Sequence, residues 1–204
     1  MPTYLDDQPF ATQAPTLAAA LDAVRRDVEA SGRLIVEVTL DGQGLVGESL
    51  QAQAEAGLED AELRLYSAEV VEVVGDALRE VRASIDRIEG MHAEAADHLQ
   101  RGDQSAGLAT VGEVIELWLG VQVGVGQAAS VAGIELEGLA VGATTAEALI
   151  AGLLERLQEL KGQIESGDTI ALADALAYEW SEITAPWGEL VDTLLVRVVD
   201  GPPA

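Results

Sequence analysis

The apolar and turn-forming positions of the first 66 residues predict short strands around one helix. The segment Thr3 to Phe10 predicts a hairpin that turns at Asp6-Asp7. Thr16 precedes a run of apolar residues at helical spacing, and its hydroxyl suits a helix N-cap. Gly32 follows this run, where a left-handed residue commonly ends a helix. The chain is therefore expected to begin with a hairpin and a helix.

Two further strands are predicted after this helix. In the first, four apolar residues alternate with other residues, which would place them on one face of a sheet: Leu34, Val36, Val38 and Leu40. Asp41-Gly42 is a hairpin turn signal, and the segment 61–66 predicts the last strand. The order of hairpin, helix, strand, turn and strand resembles the ubiquitin-like β-grasp, which implies a small α/β module. No Gly-Gly tail follows, so the resemblance does not imply conjugation.

A long amphipathic helix is predicted next, with Ser67 as its cap. Its apolar seam alternates spacings of four and three residues without a break up to Arg101, which is a heptad pattern. The seam consists of Val74, Leu78, Val81, Ile85, Ile88, His92, Ala95 and Leu99.

The following segment, roughly Gln104 to Val131, is apolar nearly all round. No charged residue occurs in the 18 residues from Leu117 to Ile134, which is the lower edge of the length of a membrane span. Glu116 and Glu135 flank this run, and no basic residue lies near enough to orient it in a membrane. We therefore expect a buried central helix, whose glycines allow close packing against a neighbouring helix.

Two more amphipathic helices complete the predicted architecture. The sequence from Thr144 to Glu147 has the form of a capping box and opens the third long helix. Pro186 is expected to break or kink the fourth helix, because proline removes a helical hydrogen bond.

Two short sequence segments of similar pattern are predicted to connect these helices in pairs. Gly102-Asp103 and Gly167-Asp168 each lie between two amphipathic runs. The glycine can adopt the left-handed conformation that ends one helix, and the aspartate can cap the next. Trp118 and Trp180 each lie in the amphipathic run that follows one of these segments. Together with Trp187 they are expected to act as packing anchors between the hairpins.

The predicted fold class is therefore α+β and mostly α. Residues 1–66 form the small β-grasp-like module, and residues 67–200 form an antiparallel four-helix bundle of two αα-hairpins. Residues 201–204 are expected to be a disordered tail.

The charge and composition of the chain argue against some classes of partner and site. The chain has 36 acidic and 11 basic residues, a net charge of −25, and 16 acids against three bases from Gly102 onward. Such a chain repels nucleic acid and anionic lipid, and it would attract basic partners or suit a salty cytoplasm. There is no cysteine, which excludes disulfides and thiolate sites, and the first residues lack the pattern of a signal peptide. A cytoplasmic location is the expectation.

The one candidate for chemistry is a possible metal pair on the long helix. Glu89 and His92 have the i, i+3 spacing of carboxylate-bridged di-iron bundles. Further carboxylates are available at Glu113, Glu116, Glu179 and Glu182. Such sites need a second Glu-x-x-His, which the sequence lacks, so no metal or cofactor is predicted and His92 is interpreted as structural.

These observations favour a non-catalytic interaction or scaffold protein with a protein partner, either a basic protein or a second copy of the chain. The contact would use the bundle seam or an edge of the N-terminal sheet. The alternative is a metal-dependent bundle enzyme that uses Glu89 and His92. A membrane-associated protein ranks lowest.

Overall fold

A computed structural model of the chain describes residues 2–12, 14–55 and 61–200. The protein is 68% helical, with a small mixed sheet at the N-terminus, and the described residues form seven α-helices. It divides into two compact units, Met1–Val73 and Val74–Ala204. The tail 201–204, predicted to be disordered, lies outside the described residues.

The first unit is a five-stranded sheet with one long helix. Its strands follow the order β2-β1-β5-β3-β4, in which β1 and β5 are parallel and the other neighbours are antiparallel. Asp6 and Asp7 form the predicted turn between β1 and β2, both with positive φ. The elements are β1 (Thr3–Leu5), β2 (Gln8–Pro9), α1 (Leu17–Ala30), β3 (Arg33–Leu40), β4 (Gln43–Gly44), α2 (Gly47–Gln53) and β5 (Leu63–Glu69).

The core of this unit lies between α1 and the sheet. Thr16 caps α1 by accepting a hydrogen bond from the Ala19 amide at 3.3 Å. The apolar stripe of α1 packs against inward-facing residues of the sheet and its loops. The stripe consists of Leu17, Ala20, Val24 and Val28, and the residues opposite it are Val38, Leu45, Leu63 and Leu65. Burial of this stripe is what fixes α1 on the sheet.

The predicted alternation along β3 is interrupted by a bulge. The register to β5 shifts between Ile35 and Glu37, so that Val36 has no partner and is 52% exposed. The extra residue shifts the alternation of inward and outward side chains along β3. As a result, Ile35 and not Val36 packs on the core with Val38. The prediction that Val36 shares the inward face was therefore wrong.

Ser67 lies in strand β5 and does not cap the long helix, which begins at Val70. Its amide and its hydroxyl both donate to the Asp6 carboxylate, at 2.7 and 2.6 Å. Arg33 donates to the Ser67 hydroxyl and carbonyl at 2.8 and 2.7 Å. These hydrogen bonds hold Ser67 in the sheet, so its prediction as a cap was wrong.

The second unit consists of long helices. Helix α3 starts at the end of the first unit and continues through this one. The elements are α3 (Val70–Gln100), α4 (Gln104–Val131), the hairpin β6 (Ala140–Val141) and β7 (Thr144–Thr145), α5 (Ala146–Ser166), α6 (Thr169–Asp174), a π-helical turn (Ala175–Glu179) and α7 (Ser181–Asp200).

Both Gly-Asp pairs lie between helices and share one geometry. Gly102 has φ +82° and Gly167 has φ +71°. The next amide reaches back five residues in each case, from Asp103 to the His98 carbonyl and from Asp168 to the Gln163 carbonyl. Each aspartate carboxylate then accepts from an amide in the first turn of the following helix, at 3.2 and 3.0 Å. One dipeptide therefore ends one helix and caps the next.

Two predicted boundaries in the second hairpin differ from the structure. Helix α5 is capped by Thr145, not Thr144, because the Thr145 side chain accepts a hydrogen bond from the Ala148 amide at 3.3 Å. Pro186 lies inside α7 and does not break it. A π-helical turn, Ala175–Glu179, precedes α7 and interrupts the predicted fourth helix.

Replacing Gly102 by valine should lower the free energy of unfolding by about 1 kcal/mol or more, because a β-branched residue resists positive φ. Gly162→Val is the matched control: Gly162 is an exposed helical glycine whose Cβ position is open. Chemical denaturation of the two variants measures the difference. An equal loss for both would show that the left-handed turn is not the cause.

Candidate functional site

Four buried rings from three segments meet inside the second unit. The ring centroid of Trp118 in α4 lies 6.4 Å from that of His92 in α3, 6.2 Å from that of Trp180 and 5.6 Å from that of Trp187 in α7. The His92 and Trp180 centroids are 5.2 Å apart. All three tryptophans are at most 2% exposed. We call these four residues the aromatic cluster.

His92 is neutral within this cluster. The Trp118 indole N–H donates to His92 Nε2 at 3.4 Å, which leaves the imidazole proton on Nδ1. Burial disfavours the charged imidazolium and lowers the pKa of His92 to about 4. The Nδ1 atom and the Trp187 indole nitrogen are buried without a hydrogen-bond partner. The cluster is therefore apolar in character, with His92 as its one titratable member.

The candidate metal residues do not converge on His92. Glu89 is exposed although His92 is buried. Glu113 and Glu116 lie beside Arg87 in an open groove, and Glu179 accepts from Arg156 at 2.6 Å. Glu182 is exposed. Within the described ranges, no group of three or more His, Cys, Asp or Glu residues could hold a metal ion.

Helix α4 is buried on one stripe only, so the prediction of a buried central helix holds for that stripe but is wrong for its other side. One helix of the described chain, Gln104–Val131, is long and apolar enough to cross a membrane by length and composition. Only 28% of its apolar 18-residue window is buried. Its buried stripe consists of Gly107, Val111, Val114, Trp118, Val121, Val125, Ala128 and Ala129.

The opposite side of this helix is open to solvent. Leu119 is 47% exposed and Val123 is 56% exposed. We define the α4 face as seven exposed residues at heptad spacing: Glu116, Leu119, Gly120, Val123, Gly126, Gln127 and Ser130. Glu116, at one end, is the only charged residue among them. Leu119 and Val123 lie four residues apart and form an exposed apolar pair at the centre of this face, with Gln127 and Ser130 at its other end.

The glycines of α4 fall into two groups. A Cβ on Gly107 would lie 2.7 Å from Leu99, and one on Gly124 would lie 2.7 Å from Val81, so these two glycines let α3 pack closely. A Cβ on Gly112, Gly120 or Gly126 would meet nothing within 4 Å, and the same is true of the helical glycines Gly90, Gly152 and Gly162. An exposed helical glycine costs roughly 1 kcal/mol relative to alanine. Close packing within the described chain accounts for Gly107 and Gly124 but not for the open helical glycines.

Comparison with protein-family models, curated proteins and solved structures finds no match.

Most basic side chains are already neutralised by neighbouring carboxylates. Nine of the 11 lie within 4.0 Å of an acid in the described structure. Since the chain has 36 acids, many carboxylates have no cation nearby, and the surface is strongly negative outside the α4 face.

A second concave surface lies along the connector between α4 and β6. This open pocket of about 460 Å³ is lined by connector residues 133–135 and 137–140 and by Arg197 of α7. Its titratable side chains are Glu135, Glu137 and Arg197. No nucleophile with a neighbouring base lines it, so it offers no recognisable catalytic arrangement.

Acid should destabilise the protein through His92. The unfolded pKa is near 6.5 and the folded value about 4, so the unfolded state binds the extra proton first and stability falls as pH drops from 6.5 towards 4. The loss attributable to His92 should reach roughly 1–2 kcal/mol at about pH 5.5. His92→Gln can still accept from Trp118 but does not titrate, so it should lack this loss.

Denaturation of the wild type and His92→Gln at pH 7.5 and 5.5 isolates this effect from titrating carboxylates. His98→Gln removes the other histidine, which lies half-buried outside the cluster, and should retain the loss. The same pH dependence in the wild type and His92→Gln would contradict the assignment.

Proposed function

We propose that this chain is a non-catalytic, acidic interaction or scaffold protein of the cytoplasm that needs no metal or cofactor. Residues 67–200 are proposed to work as an antiparallel four-helix bundle, and residues 1–66 as a β-grasp-like module. The mixed sheet packed on α1 supports the second assignment, and the two Gly-Asp turns support the first.

The exposed α4 face is the observation that carries this proposal. Leu119 and Val123 are about half exposed, and no charged residue occurs from Leu117 to Ile134 in a chain of net charge −25. Contiguous exposed apolar residues on a helix favour a contact with another apolar surface. A protein partner satisfies this requirement, and the surrounding carboxylates favour one with basic residues around the contact.

The other function classes have less support. A metal-dependent enzyme would have to use Glu89 and His92, which lie in different environments, one exposed and one buried. Nucleic acid and anionic lipid would meet unneutralised carboxylates. A membrane surface would find no lysine, arginine or second aromatic on α4 to anchor it.

Val123→Glu places a charge in the centre of the α4 face and should abolish capture of partners by the purified, tagged chain. The matched control is Val196→Glu, since Val196 is an exposed valine of another helix, 60% exposed against 56%. Mass spectrometry of proteins retained from native lysate should show a set shared by the wild type and Val196→Glu and lost from Val123→Glu. Identical sets for all three forms would refute the proposal.

Elemental analysis of the same preparations tests the enzyme alternative. Iron, manganese or zinc in stoichiometric amount, lost in His92→Gln, would replace the proposed function by metal chemistry. We expect metal contents that are far below one equivalent and equal in the two proteins.

A further inference from the structure

We propose that the groove between α3 and α4 binds a basic amphipathic helix of a partner protein. The inference rests on the proposed function, because it names the kind of partner that α4 takes and the place where this partner is held. The length of the groove, its apolar floor and the carboxylates on its two walls support the inference.

The groove consists of two adjoining concavities between α3 and α4, of about 320 and 280 Å³. Glu116 and Leu117 line both, so that together they run from Gly124 to Glu113 on α4, with residues 77–87 of α3 as the other wall. A separation of 11 residues along a helix corresponds to about 16 Å, or three turns. The groove therefore has the length of a short helical segment.

The floor of the groove is apolar. Val81 of α3 and Leu117 and Val121 of α4 line it, and the first two are only half-buried, so part of each side chain is open to solvent. Exposed Val123 lies three residues from Gly120, which also lines the groove, and therefore borders the same side of α4. A helix is about 10 Å wide, so one that is seated on this floor would cover Val123 as well.

Each wall of the groove carries an exposed carboxylate, Glu80 on α3 and Glu116 on α4. None of the ion pairs in the described part of the chain involves either of them. Arg87 lines one end of the groove and lies 4.0 Å from Glu113, so it is already paired. An apolar floor between two negative walls is complementary to a helix whose apolar stripe is flanked on both sides by lysine or arginine.

Other occupants fit this groove less well. A second copy of a chain with net charge −25 approaches against repulsion, and an anionic lipid or nucleic acid would bring phosphates against Glu80 and Glu116. A neutral apolar segment would cover the floor but would take water from both carboxylates without replacing it by a cation. A basic amphipathic helix meets the floor and both walls.

Binding of a synthetic peptide to the full chain tests the proposal. The probe is a dye-labelled peptide of about 18 residues with leucines along one helical stripe and lysines on both sides of it. Fluorescence anisotropy should show at least about tenfold tighter binding than for a scrambled peptide of the same composition, which keeps the charge but lacks the stripe. A peptide with glutamate in place of lysine should not bind. Equal binding of the striped and scrambled peptides would show only general attraction to an acidic chain and would overturn the proposal.

Charge removal at the walls locates the binding site. Glu80→Gln/Glu116→Gln keeps the shape of both side chains and should weaken binding of the striped peptide about three- to tenfold, because each exposed ion pair contributes modestly. The loss should shrink as NaCl is raised from about 0.1 to 1 M. Glu29→Gln/Glu155→Gln is the matched control, since it removes two exposed glutamates of α1 and α5 that belong to no ion pair of the described structure and leaves the same net charge. It should bind within about twofold of the wild type. An equal loss for both double variants would refute the groove as the site.

A benzophenone on the leucine stripe of the peptide maps the contact independently of affinity. After illumination, mass spectrometry should place the cross-links within residues 77–87 and 113–124. Cross-links concentrated in other helices would contradict the proposed groove.

Two further results separate this inference from the function on which it rests. If lysate capture depends on Val123 but the peptide does not distinguish the wild type from Glu80→Gln/Glu116→Gln, the basic helix is wrong and the proposed function stands. If capture is independent of Val123 while peptide binding still requires the two glutamates, the groove binds a basic helix and the test of the proposed function has failed.

Discussion

Packing around Trp118 is the contact on which the helical unit depends. The ring of Trp118 lies against His92 of α3, Trp180 after the π-helical turn and Trp187 of α7, so that one side chain joins segments from both hairpins. Aromatic residues are only 3% of the chain, and leucine, valine and alanine fill much of the remaining core. Removing a buried tryptophan of this kind typically costs about 3–5 kcal/mol, because small neighbours cannot collapse into the space.

The same contact determines which side of α4 remains free. Trp118 directs one stripe of the helix inward, and Gly107 and Gly124 let α3 approach that helix. Seven exposed positions then lie on the other side at the same heptad spacing. A helix that is apolar on both sides but buried on one keeps an apolar surface in water, even though the rest of the chain carries a net charge of −25.

The sequence predicted where helices and turns begin and end better than it predicted which other segments these elements contact. Thr16, Gly32 and the two Gly-Asp pairs act through hydrogen bonds within a few residues, which a linear pattern can reveal. The bulge at Val36 and the placement of Ser67 in β5 depend on pairing between distant strands, and periodicity does not record such pairing. The aromatic cluster was predicted as three anchors, but its inclusion of His92 follows only from the packing of three segments.

The error about α4 has a physical cause that bears on function. A helix rich in valine and glycine looks the same in sequence whether its second side is covered by its own chain or by another molecule. Gly124 is explained by its approach to Val81, but the glycines alone do not separate the two cases, because open Cβ positions like those of Gly120 and Gly126 also occur at Gly90 and Gly162 in other helices. What distinguishes α4 is that Leu119 and Val123 are exposed in a stretch without charged residues, and this surface is where the function of this protein should be sought.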